Sequence, residues 1–457
     1  MKSQINPALS GENQNKPVRI GMMSLGCPKT LVDSELILGK LDPAHYQIVP
    51  TVTDCDVALL NTCSFIRDAQ KESVDRILEL VQLKKEKKIR AIVVMGCLVQ
   101  EFPGDLKKEI KEVDAFVGSG EYHKIPEIVK KVTSGKKVFS VGTPGYLYTS
   151  GEARVALTPR HYRYVKISEG CDHECTFCTI PTFRGKHRSR PVEDIVIEAK
   201  RLIQEGAREL ILTGQDTSYF GRDFSGKFLL PELLRSLDSL ENLEWIRLLY
   251  VYPSCLTQEL MKAIRDSSRV CHYLDMPLQH ASDSMLRAMR RGITKRRTLD
   301  LIRQFRDTVP DLAIRTTFIV GFPGETEKDF KELLAFMKEI KFERLGIFKY
   351  SREEGSQAAK LPDQIAEEIK EDRYHCAMQL QQGIARKKTR SWIGKTIKVV
   401  IEEKDSKVPG QWIGRSFMDA PEVDASVQVL SKKTLTLGQF YSVPITAVKD
   451  YDLVGKF

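Results

Sequence analysis

Residues 168–181 read SEGCDHECTFCTIP and hold three cysteines within eight positions: Cys171, Cys175 and Cys178. The run YRYVKI at 162–167 comes directly before them and is typical of a buried strand. Three soft thiolates in one short loop can converge on a single iron–sulfur cluster. A 4Fe–4S cube bound by three cysteines keeps its fourth iron open. Zinc is the alternative, with His173 or His187 as a fourth ligand, but the spacing after a first strand favours the cluster.

Six strand candidates begin with this run and alternate with helical segments: 162–167, 209–214, 245–251, 273–278, 313–320 and 344–350. Each of the first five is followed by a helical stretch. Such a repeat predicts a partial or complete (βα) barrel, with a domain at 155–386. The helical run at 365–390 then carries the chain out of it.

The chain before this barrel has the pattern of an open α/β sheet. VRIGMMSL (18–25), DVALLN (56–61) and AIVVMG (91–96) are apolar runs with β-branched residues, separated by amphipathic helical stretches. The order βαβαβ predicts a parallel, doubly wound N-terminal domain at 17–135. The Gly- and Thr-rich run at 140–153 is expected to be a linker.

A second set of three cysteines follows these strands: Cys27, Cys63 and Cys97. Each lies just beyond the carboxyl end of a predicted parallel strand, where an open α/β sheet binds its ligands. One thiol after a strand is commonly a packing residue, but three in equivalent positions favour a second 4Fe–4S site. The remaining cysteines are expected to be small buried apolar residues: Cys55, Cys255, Cys271 and Cys376.

The C-terminal pattern changes to short alternating runs with Gly and Pro between them. TIKVVIEE, SVQVLS and FYSVPITAV predict a small antiparallel β-barrel at 389–457. This region has ten Lys or Arg and eight Asp or Glu. A barrel that grips RNA needs a strongly basic surface, because phosphate neutralisation supplies most of the affinity. The near balance favours a protein substrate.

Composition is that of a globular intracellular chain of about three domains. Of 457 residues, 71 are Lys or Arg and 61 are Asp or Glu, a net charge of +10 that is compatible with several anionic partners. The polar start and the absence of a long apolar run predict neither signal peptide nor membrane span. We expect a cytoplasmic protein with no membrane partner.

The three-cysteine loop, with Phe177 before Cys178, resembles the radical S-adenosylmethionine (SAM) superfamily. The resemblance implies that the open iron chelates SAM, which is then cleaved to a 5′-deoxyadenosyl radical. LTGQD (212–216) resembles the segment that meets the amino end of SAM, although it carries Gly214, Gln215 and Asp216 in place of Gly-Gly-Glu. TTFIVGFPGETEKDF (316–330), with Gly321, resembles the region beside the adenine. The implied SAM-binding residues are Gly214, Gln215 and Gly321.

The order of the two cysteine sets and the C-terminal TRAM-like barrel resemble the methylthiotransferases over 18–457. The resemblance implies two 4Fe–4S clusters: one makes the radical, and the auxiliary one carries the sulfur to be donated. SAM acts as methyl donor and as radical source. No catalytic residue beyond the cluster ligands is assigned. An electron donor such as flavodoxin or ferredoxin and a separate sulfur source are implied partners.

Within that family, the stretches at 24–35, 273–292, 350–365 and 414–427 are most similar to the RimO-type branch, which modifies the β-carbon of an aspartate in small-subunit ribosomal protein S-twelve. Thr30 stands where that branch usually has Asn. The implied partner is that protein or the small ribosomal subunit. The alternatives are a transfer RNA adenosine methylthiotransferase with the same cofactors and, in another class, an iron–sulfur scaffold or electron carrier.

Two charged segments have open interpretations. Asp419, Glu422 and Asp424 lie in one loop of the C-terminal barrel and predict an acidic edge that attracts a basic ribosomal protein. The basic run RGKHRSRP (184–191) follows the cysteine loop directly. It could bind the SAM carboxylate or the substrate aspartate, or be a solvated loop.

Overall fold

The computed structural model describes residues 16–457, which divide into two units. The first comprises the described residues up to Tyr146 together with Glu152–Val155, and the second comprises Leu147–Gly151 and Ala156–Phe457. None of the described helices is long and apolar enough to span a membrane.

A six-stranded parallel sheet forms the centre of the first unit, in the order β2-β1-β3-β4-β5-β6. Its strands are β1 (Val18–Ser24), β2 (Tyr46–Val49), β3 (Val57–Thr62), β4 (Ala91–Gly96), β5 (Ala115–Gly118) and β6 (Val138–Ser140). Its helices are α1 (Pro28–Gly39), α2 (Arg67–Lys85), α3 (Cys97–Glu101), α4 (Pro103–Glu109) and α5 (Ile125–Thr133). The predicted open parallel α/β architecture is confirmed.

Both faces of this sheet are buried, as a doubly wound fold requires. Along β3, Val57 and Leu59 pack into one apolar cluster with α1 and α5, whereas Ala58 and Leu60 pack into another with α2. This explains why the central strands are continuous apolar runs. The sheet extends through β6, which lies beyond the predicted end of the domain at residue 135. The limits given for the three domains stay predictions.

The second unit begins with another six-stranded parallel sheet, in the order β14-β13-β12-β11-β10-β7. Its strands overlap the six predicted runs, although β12 begins about three residues before the run predicted at 273–278: β7 (Tyr162–Lys166), β10 (Glu209–Thr213), β11 (Trp245–Leu248), β12 (Val270–Asp275), β13 (Ala313–Val320) and β14 (Arg344–Lys349). A short antiparallel pair, β8 (Ser168–Glu169) and β9 (Arg188–Ser189), flanks the cysteine loop.

The helices of this unit lie between and after these strands: α6 (Ile180–Arg184), α7 (Val192–Gln204), α8 (Arg222–Ser225), α9 (Leu230–Asp238), α10 (Gln258–Asp266), α11 (Asp283–Ala288), α12 (Lys295–Thr308), α13 (Glu327–Ile340) and α14 (Glu367–Arg390). Apolar residues of the sheet and helices form one large core.

The C-terminal strands close into a five-stranded barrel in the order β15-β16-β17-β19-β18. They are β15 (Thr396–Lys404), β16 (Gln411–Ser416), β17 (Val427–Leu430), β18 (Phe440–Lys449) and β19 (Asp452–Lys456). In this described segment the strand pairs are antiparallel except β17 with β19, which is parallel. Closure leaves no long free edge, so a barrel this small can be stable.

Buried ion pairs fasten this barrel to the parallel sheet of the same unit. Glu209, the first residue of β10, receives Arg247 Nε at 2.7 Å and Arg415 Nη2 at 2.6 Å. All three side chains are 3% exposed or less. The carboxylate therefore compensates two buried guanidinium groups, one from the parallel sheet and one from the barrel.

The predicted acidic edge is wrong for two of its three residues. Asp419 is buried and accepts a hydrogen bond from Arg344 Nε at 2.9 Å. Asp424 lies 3.3 Å from Arg315 and accepts from the Tyr273 hydroxyl at 2.7 Å, whereas Glu422 is exposed. Asp419 and Asp424 form ion pairs with arginines of β14 and β13. The local sequence cannot indicate these pairs, because the partner residues lie far away along the chain.

The Glu209 network generates a stability prediction. Glu209→Gln leaves buried Arg247 without a counter-charge and leaves Arg415 with only Glu402, at 3.0 Å, so we expect the free energy of unfolding to fall by about 3–5 kcal/mol. Urea unfolding followed by circular dichroism measures it, and Glu241→Gln, on an exposed carboxylate, is the control.

The pH dependence follows from the same contacts. Burial opposes ionisation, but Arg415 and Arg247 outweigh it and lower the pKa of Glu209. The stabilisation is therefore present above the unfolded-state pKa and is lost as the pH falls through the folded-state pKa. Equal stability of both variants at neutral pH would contradict this role.

Candidate iron–sulfur and SAM sites

The three N-terminal cysteines follow adjacent strands of the first sheet. Cys27 lies between β1 and α1, Cys63 follows β3, and Cys97 begins α3 directly after β4. Because β1, β3 and β4 are neighbours, their carboxyl ends share one edge. Cys63 and Cys97 are buried, and Cys27 is half-buried.

Two glycines allow these cysteine segments to approach one another. Gly26 has φ +93°, and a Cβ there would lie 2.8 Å from Cys63 Cβ and 2.9 Å from its Sγ. Gly96 has φ +106°, and a Cβ there would lie 2.7 Å from the carbonyl oxygen of Thr62. Residues with a side chain rarely adopt a positive φ of this size, so glycine is required at both close approaches. The sequence analysis did not identify this signal.

Thr30 supports the loop that carries the first cysteine. Its hydroxyl accepts from the Cys27 N–H at 3.0 Å and lies 2.8 Å from the Leu25 carbonyl. Asn61 Nδ2 donates to the Thr30 carbonyl at 3.0 Å. These hydrogen bonds hold the loop that carries Cys27.

The second cysteine loop connects β8 to α6. Cys171 N donates to the Gly185 carbonyl at 3.1 Å, and Cys178 N donates to the Cys175 carbonyl at 3.1 Å. Gly170 has φ +82°, and a Cβ there would clash with the Lys186 carbonyl. Burial raises the pKa of the Cys171 and Cys178 thiols to about 12. Iron binding must therefore offset the cost of deprotonating them.

The two histidines proposed for zinc already have other partners. His173 Nε2 lies 2.7 Å from Asp216 Oδ2, and its ring stacks on Tyr252 with centroids 3.6 Å apart. His187 Nε2 lies 3.0 Å from Ser189 Oγ. These contacts favour the sulfur-only ligand set of an iron–sulfur cluster over zinc.

A buried carboxylate that the sequence analysis missed lies just before the cysteine loop. Glu169 receives Lys166 Nζ at 2.6 Å, Gln215 Nε2 at 2.6 Å and Arg184 Nη1 at 3.4 Å. Burial opposes its ionisation, but Lys166 and Arg184 outweigh burial and lower the pKa of Glu169 to about 2. The carboxylate is therefore ionised and fixes Gln215 beside the loop.

Unused polar atoms surround the predicted SAM segment. Ser168 Oγ, Thr213 Oγ1 and Gln215 Oε1 are buried and have no hydrogen-bond partner within residues 16–457. A Cβ at Gly214 would lie 2.6 Å from Ser168 Oγ, so glycine keeps the segment open to that hydroxyl. Unpaired buried polar groups are costly, and the amino and carboxylate groups of SAM have the chemistry to satisfy them.

Gly321 lies in another turn, at the carboxyl end of β13. Its N–H donates to Glu325, and its α-carbon, with φ +72°, packs against the Lys370 side chain of α14. These contacts give Gly321 a role in the turn, and its SAM contact stays a prediction.

The basic run after the cysteine loop makes internal contacts. Arg184 binds Glu169, and Arg190, 1% exposed, binds Asp194 at 2.6 Å and Glu198 at 2.6 Å. Arg188 donates to the carbonyl of Lys186 at 2.7 Å. The solvated-loop interpretation is therefore wrong for Arg184 and Arg190.

The other cysteines divide by burial. Cys55, Cys255 and Cys271 are buried, as predicted, and Cys255 packs near Cys175 and Tyr252. Cys376 is exposed on α14, so its predicted burial is wrong. That prediction rested on the usual burial of free cysteine, which does not hold at this position of α14.

Family models match three successive parts of the chain. The Radical SAM superfamily matches residues 165–337, the Uncharacterized protein family UPF0004 matches 19–118, and the TRAM domain matches 393–457. The matches follow the order of the two sheets and the closed barrel.

Curated relatives cover nearly the whole chain. The "Ribosomal protein uS12 methylthiotransferase RimO" of Desulforamulus reducens is 45% identical over 96% of this chain and 99% of its own length. That of Heliobacterium modesticaldum is 46% identical over 96% of this chain and 95% of its own. The chain belongs to the RimO family of radical SAM methylthiotransferases. Its membership makes it an enzyme that transfers a sulfur-containing group.

Solved structures share the fold at low sequence identity. The radical SAM methyltransferase TsrM from Kitasatospora setae, with cobalamin and a 4Fe–4S cluster bound, is 12% identical over 87% of this chain and 77% of its own, with TM-score 0.57. With tryptophan and a SAM analogue, the same enzyme is 13% identical over 73% of each chain, also with TM-score 0.57.

The close approach at Gly26 generates a test of the N-terminal site. Gly26→Ala should lower the iron bound there, because the added methyl group meets Cys63 and strains the backbone before Cys27. The measurement is iron and sulfide content in a chain that also carries Cys171→Ala, Cys175→Ala and Cys178→Ala, which restricts iron to this site.

Gly135→Ala is the matched control for this test. Gly135 lies in the same unit with φ +79°, but a Cβ there meets nothing within 4 Å. It imposes a similar backbone cost without a clash. Equal iron in the two variants would show that the Gly26 contact does not shape the site.

Proposed function

We propose that this chain methylthiolates the β-carbon of an aspartate in small-subunit ribosomal protein uS12. The observation that carries the proposal is the near-complete match to RimO relatives at 45–46% identity, through both cysteine sets and the C-terminal barrel. The protein takes up an iron–sulfur cluster and SAM as a radical SAM enzyme.

We propose two cluster sites, one for each cysteine set. Cys171, Cys175 and Cys178 would hold the cluster that cleaves SAM, and Cys27, Cys63 and Cys97 would hold an auxiliary cluster. The chemistry these groups supply when bound is a 5′-deoxyadenosyl radical from the first and a methylated sulfur from the second.

The chain's own residues would bind, orient and shield. The thiolates of each set are supplied by loops that hydrogen bonds and glycine turns hold in place. Gln215, fixed by Glu169, and the hydroxyl of Ser168 would receive the polar end of SAM beside Gly214. The packing of buried Cys175 against Tyr252 and Cys255 would help to keep water from the reacting atoms.

The choice of a protein over transfer RNA rests on the relatives and on charge. The C-terminal region from 389 to 457 has ten basic and eight acidic residues, too near balance for strong phosphate binding. The buried Asp419 and Asp424 lend the choice no support. An electron donor such as flavodoxin or ferredoxin and a sulfur source remain predicted partners.

Mass spectrometry of the products tests the substrate. In a strain lacking this gene, uS12 should lose the mass of one methylthio group at an aspartate, while the methylthioadenosine of transfer RNA stays unchanged. Restoring the gene should restore the modification. Loss of the nucleoside with unchanged uS12 would show the transfer RNA branch instead.

Two triple variants separate the roles of the cysteine sets. Cys171→Ala, Cys175→Ala and Cys178→Ala together should remove about half of the iron and abolish 5′-deoxyadenosine formation from SAM, because the radical cluster loses its ligands. Replacing Cys27, Cys63 and Cys97 by Ala should keep SAM cleavage and abolish methylthio transfer. Circular dichroism checks folding.

SAM cleavage by the first variant would refute the ligand assignment of the radical cluster. Normal product from a folded second variant would refute the donor role of the auxiliary cluster.

A further inference from the structure

Arg291 is a buried arginine whose side chain reaches the second cysteine loop. It is 4% exposed and lies after α11. Its Nη1 donates to Cys175 Sγ at 3.3 Å, and its Nη2 donates to the Pro277 carbonyl at 2.6 Å. The guanidinium thus joins the loop to the end of β12.

No carboxylate compensates this charge within the described residues 16–457, where the acceptors of Arg291 are one sulfur and one carbonyl. Three other buried arginines of the same unit do have carboxylate partners: Arg190, Arg247 and Arg415. Burying an uncompensated guanidinium is costly. An anion bound at Cys175 would therefore compensate the positive charge of Arg291.

Tyr252 holds the arginine and the cysteine loop together. The Arg291 guanidinium carbon lies 4.1 Å from the centroid of the Tyr252 ring, and the His173 ring stacks on it at 3.6 Å. Two groups this close to one ring must take opposite faces, which places the Tyr252 ring between the His173 ring and the Arg291 guanidinium. Its hydroxyl also donates to the Arg291 carbonyl at 2.7 Å.

We propose that Arg291 is a positioning residue that supplies the counter-charge for a cluster bound at Cys175 and raises its reduction potential. This inference rests on the proposed radical cluster. Three thiolates make the bound cluster anionic, and reduction adds one electron and a further negative charge. A cationic N–H donor at a ligand sulfur stabilises the reduced form more than the oxidised form.

The electron balance is simple. One electron from a low-potential titrant such as dithionite enters the cluster, and no bond or proton changes at Arg291. The expected effect of removing the arginine is therefore a shift of the midpoint potential to a more negative value.

The test is a redox titration followed by electron paramagnetic resonance, without SAM, in the full chain with Cys27, Cys63 and Cys97 replaced by Ala. Arg291→Met and Arg291→Gln remove the charge and should both shift the potential negative, and Arg291→Lys should restore part of it. Arg290→Met is the matched control. It removes the same charge one residue away, where Arg290 is half-exposed and pairs with exposed Glu174.

Each result decides the inference. A cluster in both neutral variants with the potential of the parent would overturn it, whatever their activity. If Arg291→Met binds no cluster, Arg291→Gln decides in the same way. Failure of the parent background to bind iron or cleave SAM would instead refute the proposed radical cluster, which keeps the two failures distinct.

Discussion

Parallel strand pairing is the constraint on which both candidate cluster sites depend. In a parallel sheet every strand ends at the same edge, so residues that follow neighbouring strands meet although they are far apart in sequence. Cys27, Cys63 and Cys97 follow β1, β3 and β4 in this way. The second cysteine loop follows β7 and β8, and the segment with Gly214 follows the adjacent β10. The apolar strands thus fix where the chemistry can occur.

Buried charge is the second organising feature, and it distinguishes structural from functional positions. Glu209 compensates Arg247 and Arg415, so that network is closed and holds the C-terminal barrel on the sheet. Glu169 compensates Lys166 and Arg184 and orients Gln215 beside the predicted SAM segment. Arg291 differs because its charge meets only a sulfur, a carbonyl and an aromatic ring. A buried charge that no carboxylate compensates indicates that an anionic ligand binds beside it.

Local pattern was enough for the architecture. The six runs that alternate with helical segments overlap β7, β10, β11, β12, β13 and β14, because most of the apolar residues in these strands are buried. Short strands were missed: β2 and β6 are mostly half-exposed and β5 has four residues, so their apolar signal is weak. In the last barrel, β16 and β19 were also missed, since each carries several polar or small residues.

The sequence by itself determined the parallel and closed-barrel architectures, the two cysteine sets and the family, because strand periodicity and ligand spacing are local properties. Only the tertiary structure decided which charges are free. The sequence predicted that Asp419 and Asp424 form an acidic surface, yet their side chains are paired with Arg344 and Arg315. Nothing in the run MRRG (289–292) distinguishes Arg291 from Arg290, yet Arg291 contacts Cys175, while Arg290 is half-exposed and pairs with Glu174. Burial and long-range partners set the role of a charge, and neither is encoded in its neighbours along the chain.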